Sequence, residues 1–374
     1  MNKTGIEWTE LTWNPLRGCS RVSEGCRHCY AERMAARFSG DIDLGNGRSM
    51  ANVCRKPMPF DNVAIMTGSG PRWTGRVELI GSKLTEPLRK RKPATIFVNS
   101  MSDTFHEEVS DAWLDRMFAV MALCPQHEFL VLTKRARRMR EYVAGCTVEG
   151  KLRGDLGKSV QDICNRTYDG HVFEALYKLQ IAFKCWPWPL PNVALGVSCE
   201  DQQRADERIP DLLATPAACR MVSLEPLLGL VDLKQWLDQE CPYVSREDMR
   251  QHWYETHARI NWLICGGESG SRARPMHPNW VRSIRDQCVS AGLPFFFKQW
   301  GHFRPVSSVD TDDCIEAAVQ TANIRRTVLV YRDGRIEDGD RLPTEPGGWF
   351  MEPVGKKSAG RLLDGKVWDQ RPEG

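Results

Sequence analysis

Residues 193–201, VALGVSCED, show the pattern that decides the fold: a short apolar run followed directly by polar residues. The pattern recurs at TIFV 95–98, FLVLT 129–133, RMVSL 220–224, WLICGG 262–267 and PFFFK 294–298, with LTWNPL 11–16 as an earlier candidate and VELI 77–80 as an ambiguous one. Apolar runs without alternation are typical of strands that are buried on both faces. The sequence therefore predicts a parallel sheet.

Helical periodicity lies between these runs. One stripe of 111–123 carries Trp113, Leu114, Met117, Phe118 and Met121, and one stripe of 279–291 carries Trp280, Ile284 and Cys288. Alternating strands and helices predict an α/β fold whose sheet is covered by helices. Six or seven such units favour a full or partial (β/α)6-8 TIM-like barrel, and a doubly wound open sheet is the alternative.

Two insertions interrupt the pattern, at about 145–191 and 235–258. We therefore expect a barrel over 1–303 and a C-terminal extension over 304–374. In the extension, TVLVYRDGRIED at 327–338 predicts a small β-hairpin with an Asp-Gly turn.

Composition narrows the class of protein. Of 374 residues, 41% are hydrophobic and 26% charged, as in soluble globular proteins, and no apolar run is long enough to span a membrane. The N-terminal MNKTGIEWTE lacks the apolar segment of a secretory signal, so the 14 cysteines favour a reducing cytoplasm over a disulfide framework. The net charge of +3 does not require a nucleic-acid partner.

Three cysteines cluster in RGCSRVSEGCRHCYAERMAARF, residues 17–38, with the spacing C-x6-C-x2-C. Cys19, Cys26 and Cys29 on a loop that leaves a strand can converge on one [4Fe–4S] cluster and leave one iron open. Gly18 and Gly25 ease the tight backbone that such a loop needs. The third cysteine opens an amphipathic helix with Tyr30, Met34 and Phe38 on one side.

Two other interpretations of the cysteines stay open. Zinc is one, with His28 or a distant residue as the fourth ligand, although the chain has no second C-x-x-C. Three unrelated buried cysteines are the other, and the polar flanks Arg17, Ser20, Arg21, Ser23, Glu24 and Arg27 disfavour it. The ligand preferences favour the iron–sulfur cluster.

Polar side chains follow the predicted strands. They are Asn99, Ser100, Ser102, Asp103, Lys134, Arg135, Ser198, Glu200, Glu225, Glu268, Lys298 and Gln299. Any one such residue is explained as a helix cap, and Asp103, Ser110 and Asp201 are candidates for that role. The carboxyl ends of barrel strands share one face, so the whole set predicts a ligand site.

Two loops on the same predicted face are basic, TKRARRMR at 133–140 and GSRARP at 270–275. Arginine suits bidentate contacts with phosphate or carboxylate groups, so both loops are candidates for binding an anionic substrate. A solvated helix surface is an equally good interpretation.

Longer segments carry a resemblance: WNPLRGCSRVSEGCRHCYAERMA, FVNSMSDTFHEEV, VLTKRARRM, LGVSCEDQQRADERIP, VSLEPLLG, ICGGESGSRARPMHP and FFFKQWG. They resemble a phage-associated three-cysteine family that is similar to radical S-adenosylmethionine (SAM) enzymes and, more distantly, to spore-photoproduct-lyase-like proteins. The resemblance covers roughly residues 5–303, and VGKKSAGRLLDGKVWD resembles the family's C-terminus.

The resemblance implies a barrel of radical SAM type and a [4Fe–4S] cluster on Cys19, Cys26 and Cys29. SAM would bind the open iron and be cleaved reductively to methionine and a 5′-deoxyadenosyl radical, which takes a hydrogen atom from the substrate. The first cysteine gap is six residues here instead of the common three, and Gly266-Gly267-Glu268 comes too late in the chain for the usual Gly-Gly-Glu role.

Site roles follow from the position of each residue in this pattern. Asn99, Ser100, Ser102 and Asp103 are expected around SAM, the last three at its amino group. Lys134 or Arg135 would meet the SAM carboxylate, and Ser198 and Glu200 would reach the ribose hydroxyls. Glu225, Glu268, Lys298 and Gln299 are candidates for catalytic contacts with the substrate.

The phage association and the basic loops favour a nucleobase substrate, a thymine-derived base in phage DNA that undergoes rearrangement or elimination. This activity would make the protein an isomerase or a lyase. A peptide, a tRNA or a small metabolite is the alternative substrate, and a non-catalytic iron–sulfur or zinc protein that binds nucleic acid is the alternative class.

The expected electron donor is a protein such as flavodoxin or ferredoxin. No membrane partner is expected, and the expected location is the cytoplasm, that of the host cell if a phage encodes the chain.

Overall fold

The chain alternates strands and helices over most of its length. The computed structural model describes residues 1–40, 42–43, 49–50, 57–148, 151–152, 154–167, 188–237, 259–309, 327–339 and 346–372. The first strands in chain order are β1 Asn2–Lys3, β2 Leu11–Trp13, β3 Leu16–Arg17, β4 Ile42–Asp43, β5 Ser49–Met50, β6 Ala64–Thr67, β7 Gly70–Trp73, β8 Glu78–Leu79, β9 Thr95–Val98, β10 Glu128–Thr133, β11 Thr147–Val148 and β12 Lys151–Leu152.

The later strands and the helices complete this pattern. The strands are β13 Val193–Ser198, β14 Cys219–Leu224, β15 Trp262–Gly266, β16 Phe295–Gln299, β17 Phe303–Val309, β18 Val328–Tyr331, β19 Ile336–Asp338, β20 Gly348–Pro353, β21 Leu362–Leu363 and β22 Lys366–Val367. The helices are α1 Tyr30–Arg37, α2 Gly81–Leu84, α3 Asp111–Ala122, α4 Ala136–Ala144, α5 Gly154–Thr167, α6 Gln202–Leu213, α7 Lys234–Leu237, α8 Pro278–Ser290 and α9 Lys356–Ala359, with short 3-10 helices at Glu24–Cys26 and Pro87–Arg89.

One eight-stranded sheet, in the order β1-β2-β9-β10-β13-β14-β15-β16, forms the centre of the molecule. β1 is antiparallel to β2, and every other neighbouring pair is parallel. The seven parallel strands therefore lie side by side in chain order. A doubly wound sheet would reverse its strand order at a switch point, and this sheet does not.

The sheet curves strongly around Trp8. The Trp8 ring centroid is 4.7 Å from that of Phe97 on β9 and 6.5 Å from that of Trp262 on β15. These strands are four positions apart, which is about 19 Å in a flat sheet. Within the described residues no pairing joins the first and last strands. The structure thus establishes a mixed α/β fold with a mostly parallel curved sheet, and the TIM-like barrel stays a prediction.

Helices cover the outer face of the sheet. The helix predicted over 111–123 forms as α3, which buries Leu114, Met117, Phe118 and Met121 as its apolar stripe requires. The helix predicted over 279–291 forms as α8, which buries the expected stripe of Trp280, Ile284 and Cys288. Both helices are confirmed, and Trp113 of the first predicted stripe is only half-buried. No helix among the described residues is long and apolar enough to cross a membrane.

The segments predicted as insertions are only partly described. Within 145–191 the chain forms the β11–β12 hairpin and α5, which packs on α3, while 168–187 lie outside the described residues. Nearly all of 235–258 lies outside them as well, beyond the end of α7. VELI at 77–80 contributes β8, which pairs antiparallel with β3.

An antiparallel sheet in the order β17-β20-β18-β19 begins at Phe303. It contains the hairpin predicted at 327–338, with Gly334 in the left-handed region at φ 92° in the turn. The chain then returns to the parallel sheet, where the Phe297 amide donates to the Trp368 carbonyl at 2.8 Å and Phe296 pairs with Asp369. This tail covers the open edge of β16, which would otherwise present unpaired backbone groups to other chains.

Candidate active site

Residues 18–29, hereafter the cysteine loop, run from the end of β3 to the start of α1 and carry Cys19, Cys26 and Cys29. All three cysteines are free thiols and half-buried. Gly18 pairs with Ser102, just beyond the end of β9, in a parallel bridge. Gly18 has φ +93°, and a Cβ there would lie 2.0 Å from the Arg76 carbonyl oxygen, so only glycine fits at the base of the loop.

Polar residues after β9 anchor the base of the cysteine loop. The Ser102 hydroxyl donates to the Gly18 carbonyl at 2.6 Å, and the Ser100 hydroxyl donates to Asn14 Oδ1 at 3.1 Å. Asn99, at φ 59°, accepts from the Leu16 amide at 3.2 Å. These predicted SAM-binding residues therefore already hold the strand and turn that precede the first cysteine.

Asp103 is saturated with hydrogen bonds. Its carboxylate accepts from Thr133 Oγ1 at 2.7 Å, from the amides of Phe105 and Lys134 at 2.9 and 3.1 Å, and from Arg135 Nη1 at 3.0 Å. A carboxylate has about four lone-pair sites, so a further donor requires one of these four to leave.

Arg135 connects Asp103 to the cysteine loop. Its Nη2 donates to the Ser20 hydroxyl at 2.7 Å, and its Nη1 lies 3.9 Å from Cys19 Sγ. Burial alone would lower the pKa of Arg135, but the charge of Asp103 and the hydrogen bond to Glu107 act against it, and the pKa is raised overall. The guanidinium stays cationic beside the first cysteine.

Glu200 fixes the middle of the cysteine loop from the end of β13. Its fully buried carboxylate accepts from the Ser23 hydroxyl and, at 3.2 Å, from the Gly25 amide. A Cβ on Gly25 would lie 2.5 Å from Glu200 Oε1, so glycine is needed there for close approach.

Two cations compensate the buried charge of Glu200. Arg208 donates to Glu200 Oε2 at 2.8 Å and also to the Ser198 carbonyl, and Lys134 Nζ lies 3.7 Å from the same Oε2. Burial acts to raise the pKa of Glu200, but Lys134 and Arg208 outweigh it, so the net pKa is lowered and the group stays ionised.

Glu268 holds the far end of the cysteine loop from the end of β15. It accepts from Arg274 Nη2 at 2.8 Å, and its Oε2 lies 3.2 Å from His28 Nδ1. Arg274 also donates to the Glu24 carbonyl at 3.0 Å. Burial acts to raise the pKa of Glu268, and the bonds from Arg274 and His28 lower it overall.

The other predicted substrate residues are not tied to the loop by any contact among the described residues. Lys298 Nζ pairs with Glu225 Oε1 at 2.9 Å, and both side chains are partly exposed. Gln299 Nε2 donates to the Gly267 carbonyl at 2.8 Å, and its buried Oε1 has no partner among the described residues.

Two of the three thiols, Cys19 and Cys29, have raised pKa values in the protein alone. Burial raises the pKa of Cys19 to about 12, and burial also raises that of Cys29, which the Glu32 and Ala31 amides partly offset. No three His, Cys, Asp or Glu side chains of the described residues are arranged as a metal-ligand group. Three sulfur donors with nearby amides nevertheless suit an iron–sulfur cluster chemically, because a bound metal deprotonates its thiols.

The helix-cap interpretation is confirmed at one position. Asp201 caps α6 through a bond from the Arg204 amide to Oδ1 at 2.9 Å. Ser110 occupies the cap position of α3 without a side-chain bond. Asp103 instead binds the groups described above.

Comparison with known proteins gives a family and no activity. A family model described as a protein of unknown function, DUF5131, matches residues 3–372. The chain belongs to the DUF5131 family. No curated protein and no solved structure matches it.

In this DUF5131 protein a cavity of about 450 Å³ lies beside the cysteine loop. Its lining includes Cys29 and His28 and is dominated by arginines: Arg21, Arg27, Arg33, Arg37, Arg72 and Arg272. Only Arg272 lies in a loop that the sequence predicts to bind an anion. The i, i+4 spacing of Arg33 and Arg37 on α1 is the sequence signal that could have identified these two residues as anion-binding candidates.

In the first basic loop of the DUF5131 protein, the three arginines after Arg135 form surface ion pairs instead. Arg137 pairs with Glu141 at 2.9 Å and Arg140 with Asp211 at 2.8 Å, and Arg138 pairs with Asp111. The solvated-surface interpretation therefore describes these arginines well.

Proposed function

We propose that this protein is a radical SAM-type enzyme in which Cys19, Cys26 and Cys29 hold a [4Fe–4S] cluster. One observation carries the proposal: side chains from the carboxyl ends of four parallel strands bind the loop that carries all three cysteines. Active sites of parallel barrels lie at that face. When bound, the cluster would supply the electron that cleaves SAM and so generates a hydrogen-abstracting radical.

The residues around the loop have positioning roles in this proposal. Ser102, Arg135 and Glu200 each bind a different part of the loop, so the three thiols are held on a rigid frame. Arg135 also keeps a positive charge beside Cys19, which favours the thiolate that a metal needs.

SAM would occupy the space next to this frame. Its proposed surroundings are the polar residues that follow β9, β10 and β13, and most of them already form hydrogen bonds within the protein. They are Asn99, Ser100, Ser102, Asp103, Lys134, Arg135, Ser198 and Glu200. Lys134 is the best placed for a direct contact, because its ammonium pairs with Glu200 only at 3.7 Å.

The Glu225–Lys298 pair is our candidate for substrate contact, and Gln299 and Glu268 are further candidates. The pair is partly exposed, and its two charges are not used by the cysteine loop. Lys298 Nζ can hold or deliver a proton next to Glu225 Oε1. We propose a nucleobase as the substrate, a thymine-derived base in phage DNA, and a flavodoxin or ferredoxin as the electron donor.

The test is SAM cleavage under anaerobic conditions. The protein is purified without oxygen, reconstituted with iron and sulfide, reduced, and assayed for 5′-deoxyadenosine after SAM is added. We expect about four irons per chain and 5′-deoxyadenosine from the wild type. Cys26→Ala should lose both the iron and the product.

Cys219→Ala is the matched control, because Cys219 lies half-buried on β14, away from the loop. It should keep both iron and activity. Wild-type protein that binds iron but never cleaves SAM with any reductant would contradict the proposal and favour the non-catalytic nucleic-acid-binding class. Wild-type protein that binds zinc alone would do the same.

A further inference from the structure

We infer that the arginine-lined cavity beside the cysteine loop binds the backbone phosphates of a single-stranded polynucleotide. The inference names the substrate class for the proposed function. Only the statement that this ligand is the substrate rests on that proposed function. The binding itself is a separate property of the surface.

Charge is the first argument. Among the described residues, six arginines line the cavity, and Glu32 is the one carboxylate in its lining. Glu32 forms an ion pair with Arg21, whose Nε donates to it at 3.0 Å, and Arg27 forms one with Glu24 at 3.4 Å. Two of the six charges are thereby compensated.

The other four arginines are available to a ligand. Arg33, Arg37, Arg72 and Arg272 form no ion pair with any carboxylate of the described residues, and Arg33 makes only a 3.3 Å bond to the Ser269 carbonyl. Guanidinium groups with free donors match phosphate oxygens in pairs. Several uncompensated positive charges around one cavity repel one another, and a bound anion relieves this repulsion.

The neighbouring surface of α1 selects the class of anion. Tyr30, Met34 and Phe38 were expected on one side of this helix, and that side faces solvent, with exposed fractions of 47%, 38% and 47%. Arg33 and Arg37 alternate with them along the same part of the helix. Aromatic side chains next to a basic groove are how proteins bind single strands, because unpaired bases stack on the rings.

A small anion would use the arginines and leave this exposed apolar face without a partner. A polynucleotide would use both features, with its phosphates in the cavity and its bases on α1. Because His28 and Cys29 line the same cavity, a bound strand would pass directly beside the cysteine loop. Single-stranded binding also avoids the cost of extruding a base from a duplex.

The test measures binding of a fluorescent single-stranded DNA oligonucleotide by anisotropy over a range of salt concentrations. The variant is Arg37→Gln with Arg272→Gln, since both side chains are exposed and their loss leaves no buried charge. We expect binding about tenfold weaker and a salt dependence whose slope is about 1.4 smaller, from two lost phosphate contacts.

Arg137→Gln with Arg304→Gln is the matched control. It removes the same net charge from exposed arginines elsewhere, each of which is paired with a carboxylate. The control should bind like the wild type, and equal thermal unfolding of both variants shows that neither change disturbs the fold. Equal affinity of both variants for the oligonucleotide would overturn the inference.

Two further arms separate the possible ligands and the two proposals. Wild-type binding of inorganic pyrophosphate without binding of the oligonucleotide would overturn the polynucleotide assignment, as would a preference for duplex over single strand. Binding is measured on the full chain before and after anaerobic reconstitution, without SAM. Failure of SAM cleavage therefore leaves the inference standing, and SAM cleavage without oligonucleotide binding overturns the inference alone.

Discussion

Glu200 shows how single residues build the site. Its carboxylate is fully buried, meets two cations, Arg208 and Lys134, and at the same time receives two hydrogen bonds from the cysteine loop. A buried carboxylate is tolerated only when it is paired and hydrogen-bonded. The same group therefore stabilises the core and fixes the loop.

We predict that Glu200→Gln lowers the free energy of unfolding by about 3–5 kcal/mol, because it leaves Arg208 buried without its counter-charge. Urea denaturation at neutral pH measures the change. Glu207→Gln on the same helix as Arg208 is the control: its exposed pair with Arg204 should be worth less than about 1 kcal/mol.

The pH dependence supplies a second readout of the Glu200 prediction. The folded-state pKa of Glu200 is lowered from 4.5, so the unfolded state binds more protons than the folded state. The contribution of ionised Glu200 to the free energy of unfolding is therefore present above about pH 4.5. The stability is lost as the pH falls through the folded pKa. The difference between wild type and variant should shrink below pH 4.5, and a difference that stays constant there would contradict the assignment.

At the scale of elements, the C-terminal tail completes the sheet. Trp262 Nε1 donates to the Gln370 carbonyl at 2.9 Å, and the Phe295 and Trp368 rings meet at 5.9 Å. These contacts join a tail of turn-rich sequence to the last two parallel strands, β15 and β16. The tail thus protects an edge that the order of the strands leaves open.

A chain that ends at Gly365 should associate with itself, because β16 then exposes the Phe297 amide and an apolar edge. We also expect a loss of about 2–4 kcal/mol in the free energy of unfolding from the lost Trp368 packing and backbone bonds. Size-exclusion chromatography and urea denaturation measure both effects. A chain that ends at Pro372 keeps the tail and should stay monodisperse; self-association of both chains would refute the prediction.

At the scale of the whole molecule, the curvature of the sheet brings distant strands together. Trp8 is 2% exposed and packs within a cluster that includes Leu130, Met221 and Phe296 from three different strands. A curved parallel sheet directs its strand ends toward one mouth, where side chains from β9, β10, β13 and β15 can meet the same loop.

Trp8→Ala should lower the free energy of unfolding by about 3–5 kcal/mol, because it opens a cavity that the curved sheet cannot close. Trp8→Phe should cost less, since it keeps an aromatic ring and removes an indole nitrogen that has no partner among the described residues. Trp113→Ala removes a half-buried tryptophan from α3 and is the control. Equal costs for the Trp8→Ala and Trp113→Ala variants would contradict the central role of Trp8.

The sequence by itself determined the local features of this protein. Unbroken apolar runs gave the parallel strands, the 3.6-residue period gave α3 and α8, and an Asp-Gly turn gave the hairpin at 327–338, because these patterns depend on neighbours in the chain. The clustering of Cys19, Cys26 and Cys29 is local as well. The positions of the polar residues are local too, because each of them follows an apolar run in the chain.

Only the tertiary structure decided what those residues touch. Ser23 and Glu200 are 177 positions apart, and their contact depends on how the sheet curves and how the loop folds back over it. The arginine cavity likewise combines side chains from the loop, α1, β7 and the segment after β15. Hydrogen-bond partners and uncompensated charges are properties of three-dimensional packing, and no periodicity or spacing in the chain encodes them.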